Sequence, residues 1–485
     1  MKVSFPVRIY FVALVLRLIP VLLTRGLGIG LDDMFQYDML ARSLASGHGF
    51  RWYAQEDLKL LEPYVDFDLS TAKGYDPQYG VYTSFRAPLY PAFLALVYTF
   101  SGLDFSRFFA ARLAQVIFLG APLAPLTYFV AQNFFTLSSS PTNEDRGKNN
   151  DLTARLSAWF VACYPLLLVY PIGLGTENLF FILLLSSFLF LLRAIQSPTK
   201  FNLFLSGSFL GLTALTRSVI LPFALLAILY LFYLHGRKVL IAASICYLIV
   251  TCWSVRNTLL HGKLTGIETS LGYNLYLGYH PEGNGSFIFG PSLDLLTIMD
   301  DYERSIIGRQ KAMGFILDAP ERFIPLALNR LGFFFGLEKR VLMYFYSNNL
   351  LGYIPLPMLI MVSAVLLLPF VVLSILSVLG ISALQRSSQT ILLGLLLFAY
   401  TLPHVLILAE DRFHLALIPY LSILAAHGVA LIKQRGLIDA AGKKIVLAMI
   451  MILLLLFNWG TELHRDAEKI AIILGPNGNT SRFPY

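Results

Sequence analysis

Cysteine is almost absent: Cys163, Cys246 and Cys252 are the three in 485 residues, and each lies in an apolar run. That excludes a disulfide framework and any Cys/His metal spacing, and leaves them as small core residues. Charged residues are scarce too, at 14%, where a soluble globular chain carries about 25%. A water-soluble fold is thereby excluded. His280, His404 and His414 show no ligand spacing and build no metal site; an Asp-Asp pair without other ligands counts against metal dependence but leaves it open, and no cofactor is expected. The two halves share no internal repeat, which counts against an inverted-repeat transporter.

What the chain has instead is apolar length. Hydrophobic residues make up 56% and the mean hydropathy is +0.67. A helix crosses a bilayer with roughly 20 apolar residues, and the chain reads as an all-α polytopic membrane protein with about eleven such helices. They are expected at Phe5–Leu23, Leu113–Phe135, Leu156–Tyr170, Glu177–Leu192, Leu203–Thr216, Val219–Leu234, Val239–Trp253, Ile354–Leu379, Thr390–Leu408, Phe413–Ile432 and Ile445–Phe457. In the first, Lys2 and Arg8 precede an apolar stretch, but Arg17 interrupts it and no small-residue cleavage site follows, so it reads as a retained helix. Arg17 reads as a structural partner of a carboxylate or a headgroup. Pro88–Ser101 is apolar for only 14 residues, a length that suits an interfacial helix better than a span.

Leaving that segment out places the N-terminus inside, the C-terminus outside, and two long loops, 24–112 and 254–349, on the outer face. The short inner segments hold 13 Lys and Arg in 60 residues and the outer loops 17 in 185, the excess that the positive-inside rule requires. The net charge of +8 is accordingly read as orientation and contact with membrane lipids rather than nucleic-acid binding. Three parts follow: 1–253 with the first outer loop, the second outer loop 254–349, and C-terminal helices with a short outer tail over 350–485.

Long loops carry function more often than short connectors do. The first opens on Asp32 and Asp33. From Asp33 an amphipathic helix is expected, since Tyr37, Leu40, Ala41 and Leu44 share a face and Gly47 and Gly49 end it. Asp33 is then a helix cap or a general base, and the two roles are compatible. Other ionisable residues at span ends on the same face are Glu177, Arg217, Arg256, Glu410, Asp411 and Arg412. Ionisable groups at membrane depth suggest function by default. Arginines hold phosphate through paired N–H bonds, and a carboxylate takes a hydroxyl proton. The structural alternatives are snorkelling for Arg217 and Arg412 and a helix-dipole contact for Glu177.

The pattern Asp33-x-x-x-Tyr37-x-x-Leu40-Ala41, then Gly47-x-Gly49-Phe50, then Arg86 to Pro91, resembles the bacterial polyprenyl-phosphate-sugar glycosyltransferases. These belong to the GT-C superfamily, with protein O-mannosyltransferases and lipid A aminoarabinose transferases. Thr176-Glu177, Thr216-Arg217, Arg256-Asn257 and Glu410 to Tyr420 extend the likeness over nearly the whole chain. Two departures stand out: Asp32-Asp33 replaces the usual Asp-Glu, and the interval from Asp33 to Pro88 is long. The inserted Asp66–Gly80 region is expected to form a flap over the acceptor.

The resemblance implies a GT-C bundle and an inverting transferase at the outer face of the plasma membrane. It moves a monosaccharide from a polyprenyl-phosphate carrier to a hydroxyl of a glycolipid, polysaccharide or protein. Asp33 is the expected base, with Asp32 able to share the role and Glu177 positioning sugar or acceptor. Tyr37, Arg86, Arg217, Arg256, Asn257 and Arg412 are the expected binding residues. The alternative is a transporter or flippase of a lipid-linked saccharide, which predicts functional charge near the bilayer midplane.

Overall fold

The computed structural model describes residues 3–135, 144–339, 354–441 and 444–475. Parts of three expected inner segments, the end of the second long loop and the tail beyond 475 lie outside the described residues. The first apolar run forms α1 (Phe5–Leu23). After the first long loop come α5 (Ser106–Ala114) and α6 (Leu123–Phe135), joined through a π-helical turn into one helical stretch. The bundle continues with α7 (Glu144–Cys163), α8 (Pro165–Val169), α9 (Thr176–Gln196), α10 (Lys200–Thr216), α11 (Leu221–His235) and α12 (Leu240–His261). Beyond the second long loop lie α17 (Leu356–Ala383), α18 (Ser388–Leu406), α19 (Ile418–Ala441), α20 (Ile445–Arg465) and the short α21 (Ala467–Leu474).

Every expected span falls on one of these helices. By length and composition, 8 helical stretches among the described residues can cross a membrane, or 9 with a bent pair counted as one. The smaller count than eleven has a simple origin. The stretch Ser218–His261 contains both α11 and α12, and α10 has only 17 residues.

The bent pair is α7 and α8, which meet at 55°. Pro165 begins α8, and a proline there has no N–H to continue the ladder of α7. The carbonyls left open are filled from α1: Arg17, fully buried, donates to Val161 O at 2.9 Å and Ala162 O at 3.2 Å. The expectation of a carboxylate or headgroup partner for Arg17 is thus corrected. A buried guanidinium is satisfied here by backbone at a helix break.

Close helix contact relies on glycine. A Cβ on Gly380 of α17 would lie 1.9 Å from Leu424 O of α19, and Gly428 of α19 lies back against Gly380. Small residues let membrane helices approach this closely. Gly380→Ala is expected to destabilise the protein by about 1–3 kcal/mol through overpacking. Gly394→Ala, with nothing within 4 Å, is the control, and the thermal midpoint in detergent is the readout.

The first long loop contains α2 (Asp33–Ala45), α3 (Gln55–Leu61) and α4 (Leu89–Ser101), with a two-residue antiparallel ribbon, β1 (Arg51–Trp52) and β2 (Val81–Tyr82). That ribbon is an addition to the all-α expectation. The short apolar segment is helix α4, 13 residues long and below spanning length. The second long loop carries α13 (Ser270–Tyr279), α14 (Phe289–Asp294), α15 (Asp301–Asp318) and α16 (Phe323–Phe334).

The two loops interlock. Asp301 Oδ2 accepts from Ser84 N at 2.7 Å, Ser84 Oγ at 3.0 Å, Thr83 Oγ1 at 3.1 Å and Thr269 Oγ1 at 2.9 Å. Asp68 N donates to Thr297 O at 3.1 Å. Both loops therefore lie on one face of the bundle, which needs an even number of crossings between them. That parity agrees with leaving α4 out of the spans.

Candidate active site at the loop-bearing mouth

Asp32 is the cap of α2: its Oδ1 accepts from Met34 N at 2.8 Å. Its neighbour Asp33 therefore stands in the first turn with its carboxylate turned elsewhere, and its side chain is 39% exposed. Ahead of the cap, the buried Arg112 of α5 ties down the loop by donating to Leu27 O and Gly28 O. Asp33 forms an ion pair with Arg86. Arg86 is in turn held by Gln36 Oε1 at 2.8 Å and lies 5.3 Å from the centre of the Tyr37 ring.

A second pair comes from a helical hairpin. α9 starts, and α10 ends, on the loop-bearing face, which brings Glu177 to Arg217 Nη1 at 2.6 Å. Glu177 is in the first turn of its helix, so the dipole contact and a place in the site coexist. Arg412 joins the two pairs. It lies 2.7 Å from Glu410, 3.5 Å from Asp33 and 4.0 Å from Glu177, and the 3-10 turn Phe413–Leu417 that follows leads into α19. Neither Arg217 nor Arg412 is a lone snorkelling cation.

The electrostatics follow from this crowding. Burial works against ionisation of Asp33, but Arg86, Arg412 and Arg217 outweigh it and hold its pKa down at about 2. Asp32 is pushed the other way, by burial and by the adjacent Asp33. Burial raises the Tyr37 hydroxyl to about 12. For Arg86 and Arg412, burial is overcome by the carboxylates beside them, and both stay firmly cationic.

The structure gathers Asp33, Glu177, Tyr37, Arg86, Arg217 and Arg412, with Asp32 beside them, and leaves two expected residues out. Arg256 donates to Thr83 O at 2.6 Å and lies over the Trp253 ring at 4.9 Å. Asn257 donates to Gly266 O at 2.8 Å and Ile267 O at 2.9 Å. Both brace the end of α12 against the loops, because the helix carries them to the loop joint rather than to the acid–arginine cluster.

Three contributors were not singled out from sequence. Gln36 orients Arg86. Glu268 accepts from Ser218 N at 3.3 Å and adds to the field on Arg86. Tyr273 of α13 donates to Ser292 O at 3.0 Å and feels the charge of Asp33. Gln36 had a signal, since it shares the first turns of α2 with Asp33 and Tyr37. Glu268 had none.

His261, Asp300 and Asp301 form a group with metal-type donor atoms within 4.8 Å of one another. Asp301 is engaged by four donors, and Asp300 Oδ1 caps α15. This group serves the loop joint. The inserted Asp66–Gly80 region is likewise docked on the second loop through Asp68, with Tyr79 stacked on His48 at 3.8 Å.

A multi-helix bundle thus gathers carboxylates and arginines at one mouth. Residues 146–255, from α7 into α12, match the family model for dolichyl-phosphate-mannose-protein mannosyltransferase. The match includes Glu177 and Arg217. That stretch, like the motifs of the first loop, is similar to the GT-C membrane glycosyltransferases. No curated protein matches the sequence. Among solved structures, one similar chain is ArnT from Cupriavidus metallidurans bound to undecaprenyl phosphate. It shares 12% identity at a TM-score of 0.37, over 87% of this chain and 77% of that one. At that level of likeness, the fold and site described above stand on the chain's own geometry.

Proposed function

We propose that the protein transfers a monosaccharide from a polyprenyl-phosphate carrier to a hydroxyl acceptor, with inversion, at the outer face of the plasma membrane. The observation that carries this reading is the convergence of Asp33, Glu177, Arg86, Arg217 and Arg412, from four separate stretches of chain, on one mouth. The excess of Lys and Arg in the inner segments supports the outward orientation of that mouth. The acceptor is a glycolipid, polysaccharide or protein hydroxyl, and a lipid-phosphate donor needs neither a nucleotide-binding domain nor a bound cofactor.

Asp33 takes the proton of the acceptor hydroxyl as its oxygen attacks the anomeric carbon. The bond from that carbon to the phosphate oxygen breaks, and its electron pair leaves with the phosphate. One negative charge thus passes from Asp33 to the departing polyprenyl phosphate, which the arginines hold. Glu177 keeps Arg217 in place and positions the sugar.

The protonation of Asp33 sets a pH signature. A carboxylate whose pKa is held at about 2 is ionised throughout the working range. Asp33 therefore contributes no acid limb to kcat/KM between about pH 5 and about pH 8. In the donor complex, phosphate draws arginine charge away from Asp33, so its pKa rises and the acid limb of kcat lies at higher pH than that of kcat/KM. Coincident limbs would argue that the arginines stay on Asp33.

The function itself is tested by mass spectrometry of envelope glycans and carrier lipids from cells with and without the protein. The expected difference is a product lighter by one sugar, with the polyprenyl-phosphate sugar accumulating. Accumulation of the carrier without that loss would favour the flippase reading.

A further inference from the structure

Each arginine at the mouth already faces a carboxylate. Arg86 is paired with Asp33, Arg217 with Glu177, and Arg412 with Glu410. A phosphate arriving there has to take a guanidinium from an acid that holds it.

The three arginines are not equally available. Arg86 is tied to Gln36 as well as to Asp33 and packs against the rings of Tyr37 and Phe85. Arg217 has its 2.6 Å pair with Glu177 and lies against Phe413. Arg412 has one short pair, to Glu410, two looser contacts at 3.5 and 4.0 Å and a ring contact with Phe413 at 5.6 Å, and it is the most exposed of the three. It is also the arginine that reaches both Asp33 and Glu177.

We infer that Arg412 is the arginine that moves to the donor's phosphate, and that Glu410 is its resting partner, given up when the phosphate arrives. This rests on the phosphate-carrier reading above. The step is an exchange of ion pairs with no bond made or broken: Arg412 passes from one anion to another. It matches the charge movement of the reaction, because the cation that leans on Asp33 follows the negative charge as it shifts to the leaving group. Glu410 thereby acts as a competitor of the substrate. A carboxylate in the site lowers affinity for the phosphate while keeping the empty mouth electrically balanced.

The consequence runs against the usual effect of deleting a buried charge. The full-length protein in nanodiscs is titrated with farnesyl phosphate, with farnesol as the neutral control. Glu410→Gln is expected to bind farnesyl phosphate about tenfold tighter, the scale of one charge-assisted hydrogen bond, with farnesol binding unchanged. Glu410→Asp, which keeps the charge, is expected to stay within a factor of two or so of the parent protein.

In an Arg412→Ala background the gain from Glu410→Gln is expected to vanish. Tightening that persists without Arg412, or equal or weaker binding by a folded Glu410→Gln protein, overturns the exchange. Should Glu410→Gln not fold, Arg412→Ala alone decides: it is expected to cost at least tenfold in farnesyl phosphate affinity, and more than Arg217→Ala. The reverse order overturns the assignment. Failure of the parent protein to prefer farnesyl phosphate over farnesol would instead sink the phosphate-carrier reading itself.

Discussion

Asp33→Asn is expected to lower kcat by about 10²–10⁴, the usual worth of a general base, while the protein stays folded. The fold survives because the cap of α2 is supplied by Asp32, whose Oδ1 holds Met34 N. The Asp33 side chain is partly open to the mouth and holds up no packed interior. Asparagine keeps the size and can still accept a hydrogen bond from Arg86, so the change removes the charge and the proton-accepting capacity and little else. Release of polyprenyl phosphate from a polyprenyl-phosphate sugar is the measurement, with Asp32→Asn as the comparison. Asparagine is itself a good cap, so that variant should keep both its thermal midpoint and most of its rate. A normal rate for Asp33→Asn would move the base role to Asp32 or Glu177.

The second large effect concerns stability. Asp38, one turn further along α2, is buried and accepts from Tyr98 of α4 at 3.0 Å, from Arg42 at 2.8 Å, and from Arg107 of α5 at 2.8 and 3.0 Å. Arg42 extends the network to Asp57 at 2.6 Å. This one carboxylate therefore holds together three helices that carry the first loop. Asp38→Ala leaves the Tyr98 hydroxyl and the Arg107 guanidinium without their partner in a poorly hydrated setting. Breaking one side of a buried charge network costs about 3–5 kcal/mol. A large drop in thermal midpoint, with faster proteolysis between Gln36 and Arg107, is expected. Asp151→Ala, which breaks an exposed pair with Arg155, should change the midpoint little, since exposed pairs contribute about 0–1 kcal/mol. Equal effects for the two variants would show that Asp38 is not a structural hub.

The mouth was legible in part for a definite reason. Helices that must cross a bilayer announce their ends, and a charge at such an end is conspicuous against an apolar background. Asp33, Glu177, Arg217 and Arg412 were recognisable on that ground. Arg256 passed the same test yet belongs to the loop joint, because position at a helix end fixes depth in the membrane and not direction around the bundle. Glu268 and Tyr273 carry no such signal: in loops rich in polar residues, only the folded chain selects which ones face the cluster. Arg17 shows the same limit from the opposite side. Its burial in a span was evident, but its partners are backbone carbonyls freed by a break in another helix, and no residue type marks them.

Apolar length and charge scarcity alone determined that this chain is a membrane bundle, where its helices lie, and that α4 is too short to cross. These properties are local, set by the cost of exposing polar backbone or charge to lipid over some 20 residues. The tertiary structure alone decided which carboxylate meets which arginine. Asp33 and Arg412 are separated by 379 positions, and their approach depends on how α2, the α9–α10 hairpin and the turn before α19 pack around one mouth. Packing of that kind is a property of the whole bundle, and no stretch of sequence contains it.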